Sequence, residues 1–498
     1  MFSFVKLTKY FSLNRIKYKT ARFFDKIQAF FVIYNNFDKK LNKLHFDFLI
    51  NNKTFAQKII ERAKKFSGKD FNLGLEHNLN TNIFDFALQD VVMSYFKAEQ
   101  SFFSAVKVAE NNISAKKRIG VLFTQNYDVG GHSIVLERFV ESMVTELPIF
   151  IYQTKRSAYF SQKIKNIAKI KNIGWQFEAK KPTFYIKKLY KNILSDNVDI
   201  LMAYIHPQDI IGASVMALIK ENFPEKIKII YVNLADHRRN FGYNFASLII
   251  DERPSSQFIN QRFRGLFNSV IMPLQQKSSS DTYYYNQKEI VDFRKKIAVA
   301  DNEILLLSGG ASYKFFDNKD SEYFKVICNI LENRLQVKLL IMSDINDKQQ
   351  ELIEEIFKNK KQLLSRIIFA DFVADYDLAM QSCDIFIDSF PQGGALIHLD
   401  IMRNRKPTVL KINLANNIQS FETFLPQGYR WQFSDLPSLT AGVINLIDSK
   451  SLRDNAVDVL FQHFLANFEF TVVKNKYLEL FNEIDNLPNI FGKNYFSY

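Results

Sequence analysis

The sequence predicts an α/β protein with two doubly wound parallel sheets in series, preceded by a mostly helical region. Three observations carry that expectation. From Arg118 onward, short apolar runs alternate with helix-like stretches, as in chains of β-α-β units. The segment PLQQKSSSDTYYYNQ, Pro273 to Gln287, interrupts the alternation with polar residues and serines. After it, the alternation resumes.

Residues 1–115 show helical patterning with few strand signals, and AENNISAKKR then marks a boundary. A first α/β domain is expected over 116–280. Its strands are IGVLF, IFIY, VDILMAYI, KIIYV and SLIID, with helices from about His132 and from Asp209. Pro273 to Gln287 reads as the linker. A second domain is expected over 288–475, with strands EILLLSGG, VKLLIMS, RIIFAD, DIFIDSF and PTVLKIN and helices near Tyr323 to Asn333 and Gln349 to Lys358. Residues 476–498 read as a tail. Two Rossmann-like domains in series imply a cleft where ligand meets the carboxyl ends of the strands.

The 498 residues exceed one ordinary core and fit about three domains. Hydrophobic residues at 47% and charged residues at 24% exclude a wholly disordered chain. The 49 Phe and 22 Tyr are spread evenly among Lys and Asn, which speaks against an aromatic nucleic-acid platform. Cys328 and Cys383 sit in apolar surroundings, so neither a disulfide framework nor a zinc site is expected and a reducing cytoplasm fits. No apolar run approaches the roughly 20 residues of a membrane span, and AFFVIY, Ala29 to Tyr34, is too short for a signal-peptide core. The net charge of +14 is densest near the start, at Lys6, Lys9, Arg15, Lys17, Lys19, Arg22 and Lys26. That segment fits either an anionic membrane surface or the solvated face of a helical domain. RNA is a third reading, without a nucleic-acid motif behind it.

Four stretches place chemistry-bearing residues after strands. In TQNYDVGGHSIVLERF, Gly130 and Gly131 allow a tight turn and set His132 at a helix entry, where the helix dipole favours a neutral base. Asp128 can orient that ring or make an Asx turn. In LLSGGASYKFF, Gly309 and Gly310 end a strand and Lys314 follows, a compact charge suited to a diphosphate but outside the P-loop spacing. In CDIFIDSFPQGGALIHLDIMRNRKPTV, Gly393 and Gly394 join a strand to a helix start, an anion-binding arrangement. Asp400 lies where a carboxylate can take ribose hydroxyls. In YVNLADHRRNFGYNFASLIIDERPSS, Asp236, His237 and Arg253 are candidates for the acceptor side. Asp236 and His237 make half a metal site with no convincingly spaced third ligand, so no metal is expected.

These stretches, with RIIFADFV, stand in the order and approximate spacing of the two-domain GT-B glycosyltransferases. They most resemble the O-GlcNAc transferase-like family and related bacterial protein and capsule glycosyltransferases, over about residues 116–440. NLADHRRNFG followed by IIDERPSS is similar to an Ala-Asp-His segment of bacterial members. The resemblance implies that His132 is the active-site histidine, Lys314 the lysine on the diphosphate, and Gly393 to Asp400 the phosphate loop with its ribose-binding aspartate. It places Val373 and Ala374 against the base. DIND, Asp344 to Asp347, is similar to the acidic pair of metal-dependent sugar transferases, but its place after a strand reads as a turn.

The chain departs from the family in two respects, and a second comparison, with retaining GT-B enzymes, bears on the stereochemistry. No tetratricopeptide array is visible in the first 115 residues. Ala395, Leu396 and Ile397 stand where threonines usually precede the aspartate, leaving phosphate contacts to the backbone. Retaining GT-B enzymes usually carry two glutamates in this loop, and Gln392 and Asp400 occupy those positions, which favours inversion.

The expected function is transfer of a sugar from a nucleotide sugar, UDP-linked, to an envelope glycan, lipid-linked glycan or protein. Neither cofactor nor metal is expected, and the location is cytoplasmic or on the inner membrane face. A non-catalytic nucleotide-sugar-binding protein, a sugar-nucleotide epimerase of the same fold and a retaining transferase are the alternatives.

Overall fold

The computed structural model describes residues 82–97, 116–124, 131–154, 182–207, 209–234, 240–317, 320–370, 373, 375–412 and 424–496. The basic segment from Lys6 to Lys26 lies outside them, as do Asp128, Gly130, Asp236, His237 and Ala374. The chain forms two compact units, one running to Gln275 and including Phe470–Phe496, the other spanning Gln276–Glu469.

The first unit opens with helix α1 (Asn82–Lys97). It continues through β1 (Ile119–Phe123), α2 (Gly131–Met143), β2 (Ile149–Gln153), α3 (Pro182–Ser195), β3 (Ile200–Tyr204) and α4 (Ile210–Asn222). Then come β4 (Lys228–Asn233), β5 (Leu248–Asp251), α5 (Pro254–Arg264) and β6 (Ser269–Ile271). The strands form one parallel sheet in the order β2-β1-β3-β4-β5-β6. Every residue of β1 and β3 is buried, which is why both read as unbroken apolar runs: helices cover the two faces of a doubly wound sheet. Helix α4 packs against both α1 and α3 and is buried continuously from Ile210 to Ile219.

The boundary near residue 115 is therefore not a boundary of the core. Leu88, Val91 and Val92 of α1 belong to the same apolar cluster as Leu122, Ile193 and Leu218. Asp85 of α1 is buried and accepts hydrogen bonds from Gly242 N at 2.8 Å, Asn244 N at 3.2 Å and Asn244 Nδ2 at 2.8 Å.

The second unit contains α6 (Gln287–Lys296), β7 (Ile304–Gly309), α7 (Glu322–Asn333), β8 (Val337–Met342), α8 (Asp347–Ile356) and β9 (Ile367–Ala370). It continues with α9 (Tyr376–Ser382), β10 (Ile385–Ile387), α10 (Leu396–Arg403), β11 (Thr408–Lys411), β12 (Gln432–Phe433), α11 (Leu436–Asp448) and α12 (Lys450–Asn467). Its strands also run parallel, in the order β12-β11-β10-β7-β8-β9. The stretch read as a linker is anchored to this unit from Gln276 onward. Arg403 Nη1 donates to Thr282 Oγ1 at 2.7 Å, and Gln381 ties to Tyr283 O and Tyr285 N, each at 2.9 Å.

The last helix, α13 (Phe470–Glu483), belongs to the first unit, so the expected limit at 475 falls inside it and 476–498 is not a tail. Tyr477 and Phe481 pack on Phe139 of α2 with ring centroids at 5.2 and 6.3 Å. Lys474 Nζ reaches Glu146 at 2.9 Å. The following residues pair with the sheet edge at β6, where Ile271 N donates to Lys493 O and Tyr495 N to Ile271 O, both at 2.9 Å. Val473, Tyr477, Leu480 and Phe481 recur at helical spacing and bury one face, so the helix was readable but its destination was not.

Replacing Asp85 by Ala leaves buried backbone donors at Gly242 and Asn244 without their acceptor. The expected loss is about 1–3 kcal/mol, to be read as a lowered midpoint in thermal and urea unfolding.

Candidate functional site

In the second unit the strand order reverses direction between β7 and β10. Sequence proceeds from β7 to β8 on one side, while β10 pairs on the other, with Ile385 opposite Leu306 and Phe386 opposite Leu307. Loops leaving the carboxyl ends of two such strands diverge and open a crevice, the usual ligand position in open parallel sheets. GGASYK follows β7 and DSFPQGG follows β10, so topology brings the two glycine stretches together.

Buried side chains hold the two strand ends in register. Ser308 Oγ donates to Ile387 O at 2.6 Å and pairs with the Tyr323 hydroxyl. Gly310 takes φ +149°, a conformation that favours glycine, and its N–H bonds Met342 O at 3.1 Å. A short 3₁₀ turn, Ser312–Phe315, follows. Phe315 is fully buried against Tyr323, with centroids 4.9 Å apart, and this anchor fixes the neighbouring Lys314.

Lys314 Nζ donates to Gly393 O at 3.1 Å, joining segments 79 residues apart. Gln392 N closes the pair by donating to Lys314 O at 3.4 Å. Burial pulls the Lys314 ammonium below the usual lysine range, and the Asp388 carboxylate partly opposes that shift.

The loop after β10 is organised by Asp388. Its Oδ1 accepts from Ser389 N at 2.9 Å and Gly394 N at 3.0 Å, while Ser389 Oγ donates to Gln392 O at 2.8 Å. A Cβ on Gly394 would lie 2.5 Å from Ile397 Cγ2, so the close approach of loop and helix requires glycine. Helix α10 then begins at Leu396 with Ala395 as its N-cap and no side-chain capping bond. Its first N–H groups are therefore not taken by a capping side chain, and the positive end of the helix dipole lies at the loop.

Asp400, on the same helix, is 7% exposed. Its Oδ1 lies 3.4 Å from Arg403 Nη2, which also donates to Asp377 Oδ1 at 2.7 Å. Burial acts to lower the Arg403 pKa, but Asp400 and Asp377 outweigh it and hold the guanidinium firmly charged. Val373 follows β9 and packs half-buried on the apolar cluster of the second unit, alongside Ile397 and Met342.

Sequence reasoning passed over Asp388, Ser389, His398 and Arg403. The signal for Asp388 was its position immediately after β10. His398 was hidden inside the apolar stretch LIHLDIM.

In the first unit, direction reverses between β1 and β3, since β1 pairs with both β2 and β3. Gly131 and His132 are the first two residues of α2, directly after the loop that leaves β1. The ends of β1, β2 and β3 converge on Asp209, the N-cap of α4. It accepts from Thr124 Oγ1 at 2.6 Å, from Thr154 Oγ1, and from Gly212 N at 2.8 Å. Burial raises the Asp209 pKa against those hydrogen bonds. Arg253 precedes α5 and is 1% exposed. Among the described residues, no group of three or more His, Cys, Asp or Glu could hold a metal ion, and no helix is long and apolar enough to cross a membrane.

No family model matches the chain, and no curated protein matches it in sequence. Solved structures do match in fold. The Anabaena protein HepE, crystallised with UDP, aligns over 74% of this chain and 100% of its own, with TM-score 0.57 and 14% identity. A glycosyltransferase from Rickettsia africae aligns over 74% and 99%, with TM-score 0.57 and 15% identity. The fold is GT-B. An O-GlcNAc transferase from Thermobaculum terrenum shares it over 91% of this chain and 82% of its own, with TM-score 0.55 and 10% identity. The GT-B match bears out the expected pair of Rossmann-like folds.

Gly394→Ala should lower the unfolding midpoint by the equivalent of about 1–3 kcal/mol through overpacking against Ile397. Adding Ile397→Ala removes the clashing methyl and should recover some of the loss. A double-mutant cycle in thermal melts measures that coupling.

Proposed function

We propose that this protein is a glycosyltransferase that moves a sugar from a nucleotide-sugar donor, UDP-linked, to a hydroxyl or amide acceptor on an envelope glycan, lipid-linked glycan or protein. The observation that carries the reading is the hydrogen bond from Lys314 to Gly393 O. It puts a half-buried cation beside a glycine loop and a helix start at the sheet's switch point. HepE, similar in fold, was crystallised with UDP and with UDP-glucose, which supports a nucleotide sugar as ligand.

When the bond between the anomeric carbon and the diphosphate oxygen breaks, negative charge gathers on the leaving diphosphate. Lys314 and the N–H groups at the start of α10 supply fixed positive potential there. Asp400 is assigned to the ribose hydroxyls, and Val373 with Ala374 to the base. In this reading the first unit receives the acceptor, with His132 as the base that takes its proton or as a positioning group. Asp128, Gly130, Gly131, Asp236, His237 and Arg253 are assigned to the acceptor side. Gln392, where retaining relatives carry a glutamate, favours inversion, and charge stabilisation by Lys314 needs no metal.

Isothermal titration with UDP and a panel of UDP-sugars tests the reading, and absence of binding by any nucleoside diphosphate would defeat it. Lys314→Ala should cut sugar-donor turnover by about 100-fold or more with its melting midpoint retained. Turnover of the native protein should decline as alkali deprotonates Lys314, whose pKa burial has lowered. In this reading the basic stretch from Lys6 to Lys26 lies on an anionic membrane face, and the protein should then float with vesicles rich in anionic lipid and stay behind with neutral ones.

A further inference from the structure

Beneath the glycine loop lies a buried pair that the proposed chemistry leaves unused. His398 is 0% exposed and Asp388 is 2% exposed. His398 Nε2 stands 3.0 Å from Asp388 Oδ2, off the line of an ideal hydrogen bond, and its Nδ1 is 3.4 Å from Thr408 Oγ1. The imidazole and the Phe386 ring stand nearly perpendicular, with centroids 5.8 Å apart. The other oxygen of the same carboxylate holds Gly394 N and Ser389 N, and the Gly393 carbonyl one residue away receives Lys314. A single carboxylate thus has its back to a histidine and its front to the glycine loop.

We propose that His398 is a positioning residue for sugar-donor binding: it holds the Asp388 carboxylate in place, and Asp388 in turn sets the Gly393–Gly394 peptide so that Lys314 and the start of α10 meet a diphosphate. This inference rests on the reading of that loop as the nucleotide-sugar site. His398 touches neither sugar nor phosphate in this scheme. Its action runs through Asp388, whose Oδ1 accepts from the N–H of the Gly393–Gly394 peptide while Lys314 donates to the C=O of that same peptide group. Asp388 is also the carboxylate that opposes the burial-driven fall of the Lys314 pKa. Among the charged groups around Lys314, it is the one that favours the ammonium form.

A partner removed from behind a buried carboxylate leaves that carboxylate free to turn away from the loop it holds. His398→Leu should therefore behave like Asp388→Asn. Both should weaken UDP binding by about tenfold, a loss of about 1.4 kcal/mol, once the carboxylate that sets the loop is no longer held. Asp388→Asn should in addition move the alkaline limb of UDP binding to lower pH, because that change removes the negative charge opposing the burial-driven fall of the Lys314 pKa. His398→Gln, which keeps an N–H able to face Oδ2, should retain most of the native affinity. Amide exchange in the peptide covering Asp388 to Ile397 should be faster in His398→Leu than in the native chain.

Unchanged UDP affinity in His398→Leu would overturn the proposal, as would equal losses in His398→Leu and His398→Gln. If the native protein itself bound no UDP, the sugar-donor reading would fall and this proposal with it. That result is distinct from a native protein that binds UDP and a leucine variant that binds it equally well.

Discussion

The pairing of β7 with β10 is the constraint on which the candidate site depends. Leu306 and Leu307 lie against Ile385 and Phe386, all buried, and the polar residues beyond them inherit that register. Ser308 crosses from one strand end to the other, Lys314 reaches the opposite loop, and Gly309 lies close against α10. A slip of one residue in either strand would exchange its faces and carry every one of these groups to the wrong side. The chemistry of the loops is thus set by the packing of four apolar side chains that do not share in it.

Lys314 shows how that constraint becomes electrostatics. A half-buried ammonium costs free energy unless charge and hydrogen bonds compensate. Here the compensation comes from Gly393 O and Asp388, both on the partner loop. The cation is consequently a link between the loops as well as a group that can face an anion. The cluster of Asp400, Arg403 and Asp377 follows the same rule farther along α10, where two carboxylates keep a buried guanidinium charged.

Much of this architecture was legible in the sequence. Strands such as ILLLSG and IGVLF are apolar because both faces of their sheets are covered, and in ILLLSG a glycine, Gly309, ends the run. Lys314, Gly393 and Gly394 could be selected from their joint placement after strands and from the resemblance to GT-B enzymes. Asp388 and His398 could not, because a buried polar pair is defined by a partner across the fold and local pattern carries no record of it. The same holds for α1 and α13: their apolar spacing announces helices, while the core that receives them is decided by Asp85 finding Gly242 and by Tyr477 finding Phe139. The loops on the candidate acceptor side, around Asp128 and Asp236, fall outside the described residues, so the sequence reading of them stands without a geometric counterpart.

The placement of α13 also bears on the order of assembly. Phe139 and the β6 edge obtain their final partners from residues 470–496, which a ribosome makes only after all of the second unit. The half of the protein that is synthesised first is therefore the half that is completed last. A fragment ending at Gln275 would emerge with an aromatic face and a sheet edge still uncovered, and an autonomous first unit would need residue 275 rejoined to residue 470.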